Sequence, residues 1–197
     1  MRNNDRLPDY HRLDFAWNIY NPSMKDKRFN TSSYKLDFSY LISKKFVELE
    51  LNKSLVAGEG ILTKEEIKKG QIICPLCGMI YRMSEAKIDF PKYSYQISDE
   101  FSIETTNEPG FFNHSCNPNT FLNKDWMFEA IRDIQLSDEI LIDYRTMDYS
   151  DYGFECTCGN DNCCGVFNGL ACNDLDYQKL NYQYFTPYLK GKFPSIT

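Results

Sequence analysis

Along this chain, apolar and polar positions trade places every second residue far more often than every third or fourth. "KFVELEL", residues 45–51, alternates cleanly, the period-two pattern of a half-buried strand. "GEGI", 58–61, follows as a glycine turn, and "ILTKEEIKKGQII", 61–73, reads as strand, short connection, glycine turn and strand. "KYSYQIS" and "FSIET", 92–98 and 101–105, predict a hairpin. "MFEAIRDIQLSDEILIDYR", 127–145, predicts two strands around a "LSDE" turn. Helical signals are few: one short helix near "SSYKLDFSYLISKKF", 32–46, and one or two turns in "SEAKIDF", 84–90, before Pro91. Residues 1–45 show no sustained period and read as an irregular N-terminal extension. Short strands with frequent turns and little helix predict a mostly β domain, without internal repeat or low-complexity tract.

With 197 residues the chain can bury one sizeable core. Its 28 acidic and 22 basic residues give a net charge of −6, and no strongly basic stretch exists. Direct nucleic-acid binding is therefore not expected, whereas a basic peptide would suit the field. No run approaches the roughly 18 apolar residues that span a bilayer, and "MRNNDRLPDYHRLDF" lacks the apolar centre of a signal peptide. No membrane association is expected. These features predict an intracellular protein, cytoplasmic or nuclear, with secretion into a host cell left open. In a reducing compartment, eight cysteines favour metal over disulfides. With only His11 and His114 present, histidine-rich zinc catalysis is disfavoured.

The strongest metal signal is "FECTCGNDNCCG", in which Cys156, Cys158 and Cys163 are spaced C-x-C-x4-C. Zinc takes four tetrahedral ligands, and thiolates suit it in a reducing cell. These three cysteines lack one ligand, and Cys116 in "GFFNHSCNPNTF" is a candidate for the fourth. Cys164, next to a ligand, is expected to point away. "CPLCG" (Cys74, Cys77) looks like a zinc knuckle, and Cys164 and Cys172 would complete a second site on paper. It reads better as two buried or half-buried free thiols.

Four motifs then fall into one order: "GEGILTKEEIKKGQII", "FFNHSCNPN", "AIRDIQLSDEILIDY" and "FECTCGNDNCCGVFNG". Together they resemble a SET-domain protein-lysine methyltransferase with a post-SET zinc motif, over about residues 46–170. The resemblance implies a SET-domain fold of small β-sheets with a knot-like C-terminal crossing, plus a zinc-bound post-SET segment. It divides the chain into an N-terminal extension (1–45), a SET domain (46–148), a post-SET zinc motif (149–170) and a C-terminal extension (171–197). S-adenosylmethionine would be the methyl donor, and a protein or peptide with an accessible lysine the partner. Position by position, Ala57, Gly58, Glu59 and Gly60 match the first donor loop, and Tyr93 a tyrosine that packs by the donor. Asn113 and His114 match the residues that hold the donor's amino and adenine portions, and Phe154 lies where post-SET residues fold over it. Cys116 matches the fourth ligand of one structural zinc, with Cys156, Cys158 and Cys163. Tyr144 matches the active-site tyrosine, and Leu76, Phe112 and Ile142 line the expected substrate channel.

Three departures accompany the match. Leu76 stands where a channel tyrosine or phenylalanine usually lies, so a hydroxyl there must come from another residue such as Tyr81. Ile142 replaces a residue that tunes how many methyls are added. Gly110 stands where many relatives have a basic residue lining the donor site. A catalytically weak or inactive SET-like binding module is the alternative that Leu76 and Gly110 favour. A Cys–His hydrolase using Cys116 and His114 is a further rival, but no orienting acid is evident in sequence.

Overall fold

A computed structural model describes residues 34–36, 46–85, 94–105 and 108–193. Its strands are β1 (Tyr34–Leu36), β2 (Leu49–Lys53), β3 (Glu59–Thr63), β4 (Ile72–Pro75), β5 (Gly78–Arg82), β6 (Ser94–Gln96) and β7 (Phe101–Thr105). Then follow β8 (Asn113–His114), β9 (Thr120–Leu122), β10 (Met127–Ala130), β11 (Leu141–Ile142), β12 (Gly153–Glu155) and β13 (Val166–Asn168). Two short helices close the chain, α1 (Leu175–Asn181) and α2 (Pro187–Lys192). The mostly β reading from period-two alternation is what the chain adopts.

One element differs in kind. The short helix expected across 32–46 gives way, in its described part, to β1, which lies antiparallel on β5 with Tyr34 opposite Ile80. Pairing against an available sheet edge outweighs local propensity, which is worth only tenths of a kcal/mol per residue. Of "SEAKIDF", the described part is the end of a 3-10 turn, Met83–Glu85; residues 86–90 lie outside the described residues. The expected hairpin of 92–105 is present as β6 antiparallel to β7.

β1, β5, β7 and β6 form one sheet, and β4, β10, β9, β11 and β8 form the other, each in that spatial order. Two hairpins, β2–β3 and β12–β13, stand beside them. Between the sheets lies one core that includes Ile61, Ile67, Ile73, Leu76, Ile80, Ile103, Phe112, Phe128, Ile134 and Ile142, all at most 1% exposed. Each such side chain contributes about 1.5–3 kcal/mol of burial free energy.

The two strands expected in 127–145 exist but do not pair with each other. β10 runs antiparallel to β9 and β4, whereas β11 runs parallel to β8 on one side and β9 on the other. β11 is thereby threaded through the loop 115–119 that joins its two neighbours. Asn119 fastens it there: its Nδ2 donates to the Glu139 carbonyl at 2.7 Å and its Oδ1 accepts from Leu141 N at 2.8 Å. Ser115 N and Asn119 N donate to the Ile142 and Leu141 carbonyls. This is the knot-like crossing.

Residues 171–193 build a second core of Cys172, Phe185, Tyr188 and Leu189, each no more than 4% exposed, against Tyr149 and Tyr177. It fastens to the first at the β6–β7 turn. Gln96 Nε2 donates to the Tyr188 hydroxyl at 3.1 Å, and that hydroxyl donates to Asp99 at 2.9 Å. Among the described residues no helix is long and apolar enough to cross a membrane.

Candidate functional site at the threaded crossing

The crossing determines which side chains meet. Tyr144 opens a 3-10 turn, Tyr144–Thr146, capped by Asp143, whose side chain accepts from Arg145 N. The Tyr144 hydroxyl donates to the Phe112 carbonyl at 2.7 Å, and its N–H donates to His114 Nδ1 at 3.2 Å. Burial pushes the Tyr144 phenol well above its ordinary value, so at neutral pH it is a hydrogen-bonding hydroxyl and not a phenolate.

His114, 5% exposed, is held neutral: burial lowers it to about 4, despite the Asp143 carboxylate nearby. His114 Nε2 is 3.5 Å from Cys116 Sγ, and Nδ1 is 3.7 Å from Asp143 Oδ1. Cysteine, histidine and acid are thus in line, and the orienting acid not evident in sequence is present. The hydrogen bonds nonetheless rule out a hydrolase relay. Nδ1 accepts the Tyr144 N–H, so it carries no proton for Asp143, and a base would need Nε2 free. Burial also pushes the Cys116 thiol up, away from a nucleophile's range.

Asn113 shapes the glycine loop. Its Nδ2 donates to the Ala57 carbonyl at 3.1 Å, the Glu59 carbonyl at 2.9 Å and Glu139 Oε1 at 2.8 Å. Ser54 Oγ donates to the same Glu139 carboxylate. Ala57, Gly58 and Glu59 are exposed, and Gly58 turns the chain at φ 56°. Gly60 is buried where a Cβ would collide with the Glu139 carboxylate and sit 2.9 Å from Asn113 Nδ2. Any larger residue there must push that carboxylate aside.

Phe154, on β12, stacks on Phe167, on β13, with ring centroids 4.7 Å apart. Both face His114, at 5.9 and 5.4 Å, and Tyr144, at 6.3 and 5.9 Å. The hairpin after the crossing therefore covers it with an aromatic lid. Leu76, Phe112 and Ile142 are fully buried together in the main core, with Tyr144 packed at its margin. A cavity of about 220 Å³ is lined instead by residues including Cys116, Thr120, Arg132, Asp143, Asn181 and Tyr184. Tyr93 lies outside the described residues.

The cysteines converge as their spacing suggests. Ligand atoms of Cys116, Cys156, Cys158 and Cys163 all lie within 4.8 Å of one another and could hold one metal ion. The Cys116–Cys156 sulfur separation is 3.9 Å, against roughly 3.8 Å for the edge of a tetrahedron with 2.3 Å zinc–sulfur bonds. Asn160 Nδ2 donates to Ser115 Oγ and Asn162 Nδ2 to the Cys116 carbonyl, both at 3.0 Å, lashing this segment to the crossing. Cys164 corrects the expectation that it points away: its sulfur is 3.4 Å from that of Cys116. Gly165, at φ 70°, curls the chain there, and Cys164 falls into an alternative set with His114, Cys116 and Cys156. Cys74 and Cys172 are buried in separate cores, in keeping with free thiols.

Sequence reasoning missed Glu139, Phe167, Tyr95 and the Asp143 partners. Tyr95 is buried near Tyr144 and donates to the Pro109 carbonyl at 2.5 Å, one strand repeat beyond Tyr93. Read from sequence, alternation treats the two tyrosines of "KYSYQIS" alike and could have flagged either.

Comparison with known proteins fits this geometry. The SET-domain family model matches residues 58–145. Those residues are a SET domain, and the threaded crossing lies within them. A variant-silencing SET domain-containing protein of Plasmodium falciparum (isolate 3D7) is 30% identical over 182 residues, covering 76% of this chain and 7% of that protein. The histone-lysine N-methyltransferase ASHR3 of Arabidopsis thaliana is 30% identical over 138 residues, 60% of this chain and 27% of that protein. An H3 lysine-36 specific histone-lysine N-methyltransferase of Mycosarcoma maydis is 26% identical over 152 residues, 67% of this chain and 16% of that protein. The chain therefore spans less than a third of each of these relatives. A crystal structure of KRYPTONITE with mCHH DNA, H3(1-15) peptide and SAH superposes with TM-score 0.51 at 26% identity, over 63% of this chain and 30% of that one.

Proposed function

We propose that this chain transfers a methyl group from S-adenosylmethionine to a lysine side chain of a protein, histone or non-histone. The observation that carries the reading is the convergence of His114 and the Phe154–Phe167 lid on the half-buried Tyr144, with the glycine loop tied to the adjoining Asn113. Relatives named as histone-lysine N-methyltransferases, and a structural neighbour holding SAH and an H3 peptide, support it. That neighbour also holds DNA; for this chain, at −6, a basic peptide is the better match.

Asn113 Oδ1 accepts no hydrogen bond among the described residues, so it is left to take the donor's ammonium while Nδ2 holds the loop. Backbone groups of 57–60 and of His114, with Tyr93 and Phe154, complete the donor site in this reading. The donor supplies an electrophilic methyl on a sulfonium. The acceptor lysine must be neutral, and deprotonating it at pH 7 costs about 4.6 kcal/mol. An apolar channel of Leu76, Phe112 and Ile142, by disfavouring the ammonium, lowers that cost. Tyr144 then orients the amine rather than removing its proton.

One structural zinc on Cys116, Cys156, Cys158 and Cys163 staples the lid to the crossing, which suits a reducing compartment, cytoplasm or nucleus. A donor-free binding module is the second reading, favoured by the fully buried aliphatic Leu76. A labelled-donor methylation screen over peptide arrays and whole lysate, with Tyr144→Phe as blank, tests the assignment. Labelling that wild type and blank share equally would sink it, and failure to bind donor in a titration would favour the binding module.

A further inference from the structure

The turn that carries Tyr144 is held from outside the SET domain. Asp143, 3% exposed, is a carboxylate that must be matched where it lies. Arg145 gives it a fork, Nε to Oδ1 at 2.9 Å and a terminal nitrogen to Oδ2 at 2.7 Å. The second side-chain partner comes from α1: the Tyr177 hydroxyl donates to Oδ2 at 2.9 Å. The same ring lies under the Arg145 guanidinium, 4.6 Å from its centroid. A second tie follows, from Thr186 N to the Thr146 carbonyl at 3.0 Å. The turn Tyr144–Thr146 is thus gripped at both ends by residues beyond 58–145.

We propose that Tyr177 is a positioning residue for Tyr144, so that α1 works as part of the active site. The inference rests on the methyltransferase reading. With Tyr177 on Oδ2, Oδ1 stays on Arg145 N at 3.0 Å and keeps the cap. It also stays 3.7 Å from His114 Nδ1, leaving that nitrogen to accept the Tyr144 N–H. Without the phenol, Oδ2 loses a donor and the carboxylate is free to turn off Arg145 N, uncapping the turn that holds the Tyr144 N–H against His114 Nδ1. Tyr144 then loses one of the two hydrogen bonds that aim it.

The test compares wild type, Tyr177→Phe, which keeps the ring under Arg145, and Leu180→Ala, an exposed change on the same helix. Each is assayed for kcat, peptide KM, donor Kd and amide exchange across 143–148. Tyr177→Phe is expected to lower kcat about tenfold with KM and Kd within about twofold. Exchange should quicken at residues 145–148 and not across the sheets, and Leu180→Ala should match wild type. Unchanged exchange in Tyr177→Phe overturns the proposal, as does a uniform shift of kcat, Kd and exchange everywhere. A wild-type chain without turnover would instead defeat the methyltransferase reading, and exchange would still decide the role of Tyr177.

Discussion

Replacing Asn113 with Asp changes one nitrogen for oxygen and nothing in shape, which makes its cost calculable. The replaced nitrogen lies 2.8 Å from Glu139 Oε1 and faces the Ala57 and Glu59 carbonyls at 3.1 and 2.9 Å. In the variant three acceptors look at a fourth. Two unit charges at that separation repel by about 6 kcal/mol at an effective dielectric of 20. Uptake of one proton by the pair is cheaper: from an ordinary carboxyl value near 4 it costs about 4 kcal/mol at pH 7 and about 2 at pH 5.5. Protonation wins, and the lost amide bonds add about 1–2 kcal/mol at either pH. Asn113→Asp should therefore lose about 5–6 kcal/mol near pH 7, and about 2 kcal/mol less near pH 5.5. The sign follows because the folded variant binds the extra proton, so its relative stability rises as pH falls. Asn113→Ala removes only the hydrogen bonds and should cost about 2 kcal/mol with no pH dependence beyond wild type. Urea denaturation of the zinc-loaded proteins at both pH values, each against wild type, reads these differences. A loss under about 1 kcal/mol near pH 7, or equal losses at both pH values, would refute the loop geometry.

Further outcomes follow from the same contacts. Tyr144→Phe should lose most turnover while donor affinity stays within about twofold and stability drops by about 1 kcal/mol, the worth of its bond to Phe112; calorimetric titration and thermal melting check both. Gly60→Ala should displace the Glu139 carboxylate, costing about 2–3 kcal/mol and weakening donor binding, read by denaturation and titration. Cys158→Ser should lose stoichiometric zinc and Cys164→Ser retain it, by metal analysis after purification under reducing conditions; the reverse result would select the set containing His114. Chelating the metal should quicken amide exchange across residues 153–168 before it does so in β4 and β10, because the lid is stapled only at its base.

Legibility tracked the range of the interactions. The β6–β7 hairpin was readable because alternation is a local property of the chain, whereas "GEGI", read as a turn, lies largely inside β3, where pairing with β2 extends the strand. The clustering of Cys156, Cys158 and Cys163 was readable because residues so close in sequence can meet within one local turn. Their fourth partner, Cys116, sits forty residues earlier in the chain, and it was reached through a candidate cysteine and a motif order, not through periodicity. Residues 34–36 were misread because an edge strand takes its conformation from the sheet it joins. The partners of Asp143 were invisible for a different reason. Nothing in "LDYQKL" distinguishes a tyrosine that grips a buried carboxylate from the many that pack, and Tyr177 is one of fourteen in the chain.

The hardest case is the motif that looked most chemical. "NHSC" offers a histidine and a cysteine one residue apart, and folding even supplies an acid at 3.7 Å from His114. Proximity of the three would satisfy a search for a nucleophile with its base. What decides against it is a single backbone hydrogen bond, Tyr144 N–H to Nδ1, since a nitrogen that accepts cannot also carry the proton that Asp143 would orient. That bond exists only because β11 is threaded between β8 and β9, which delivers Tyr144 onto the imidazole. The topology thus converts a would-be base into a strut for the tyrosine, and leaves the cysteine to the cysteine cluster beside it.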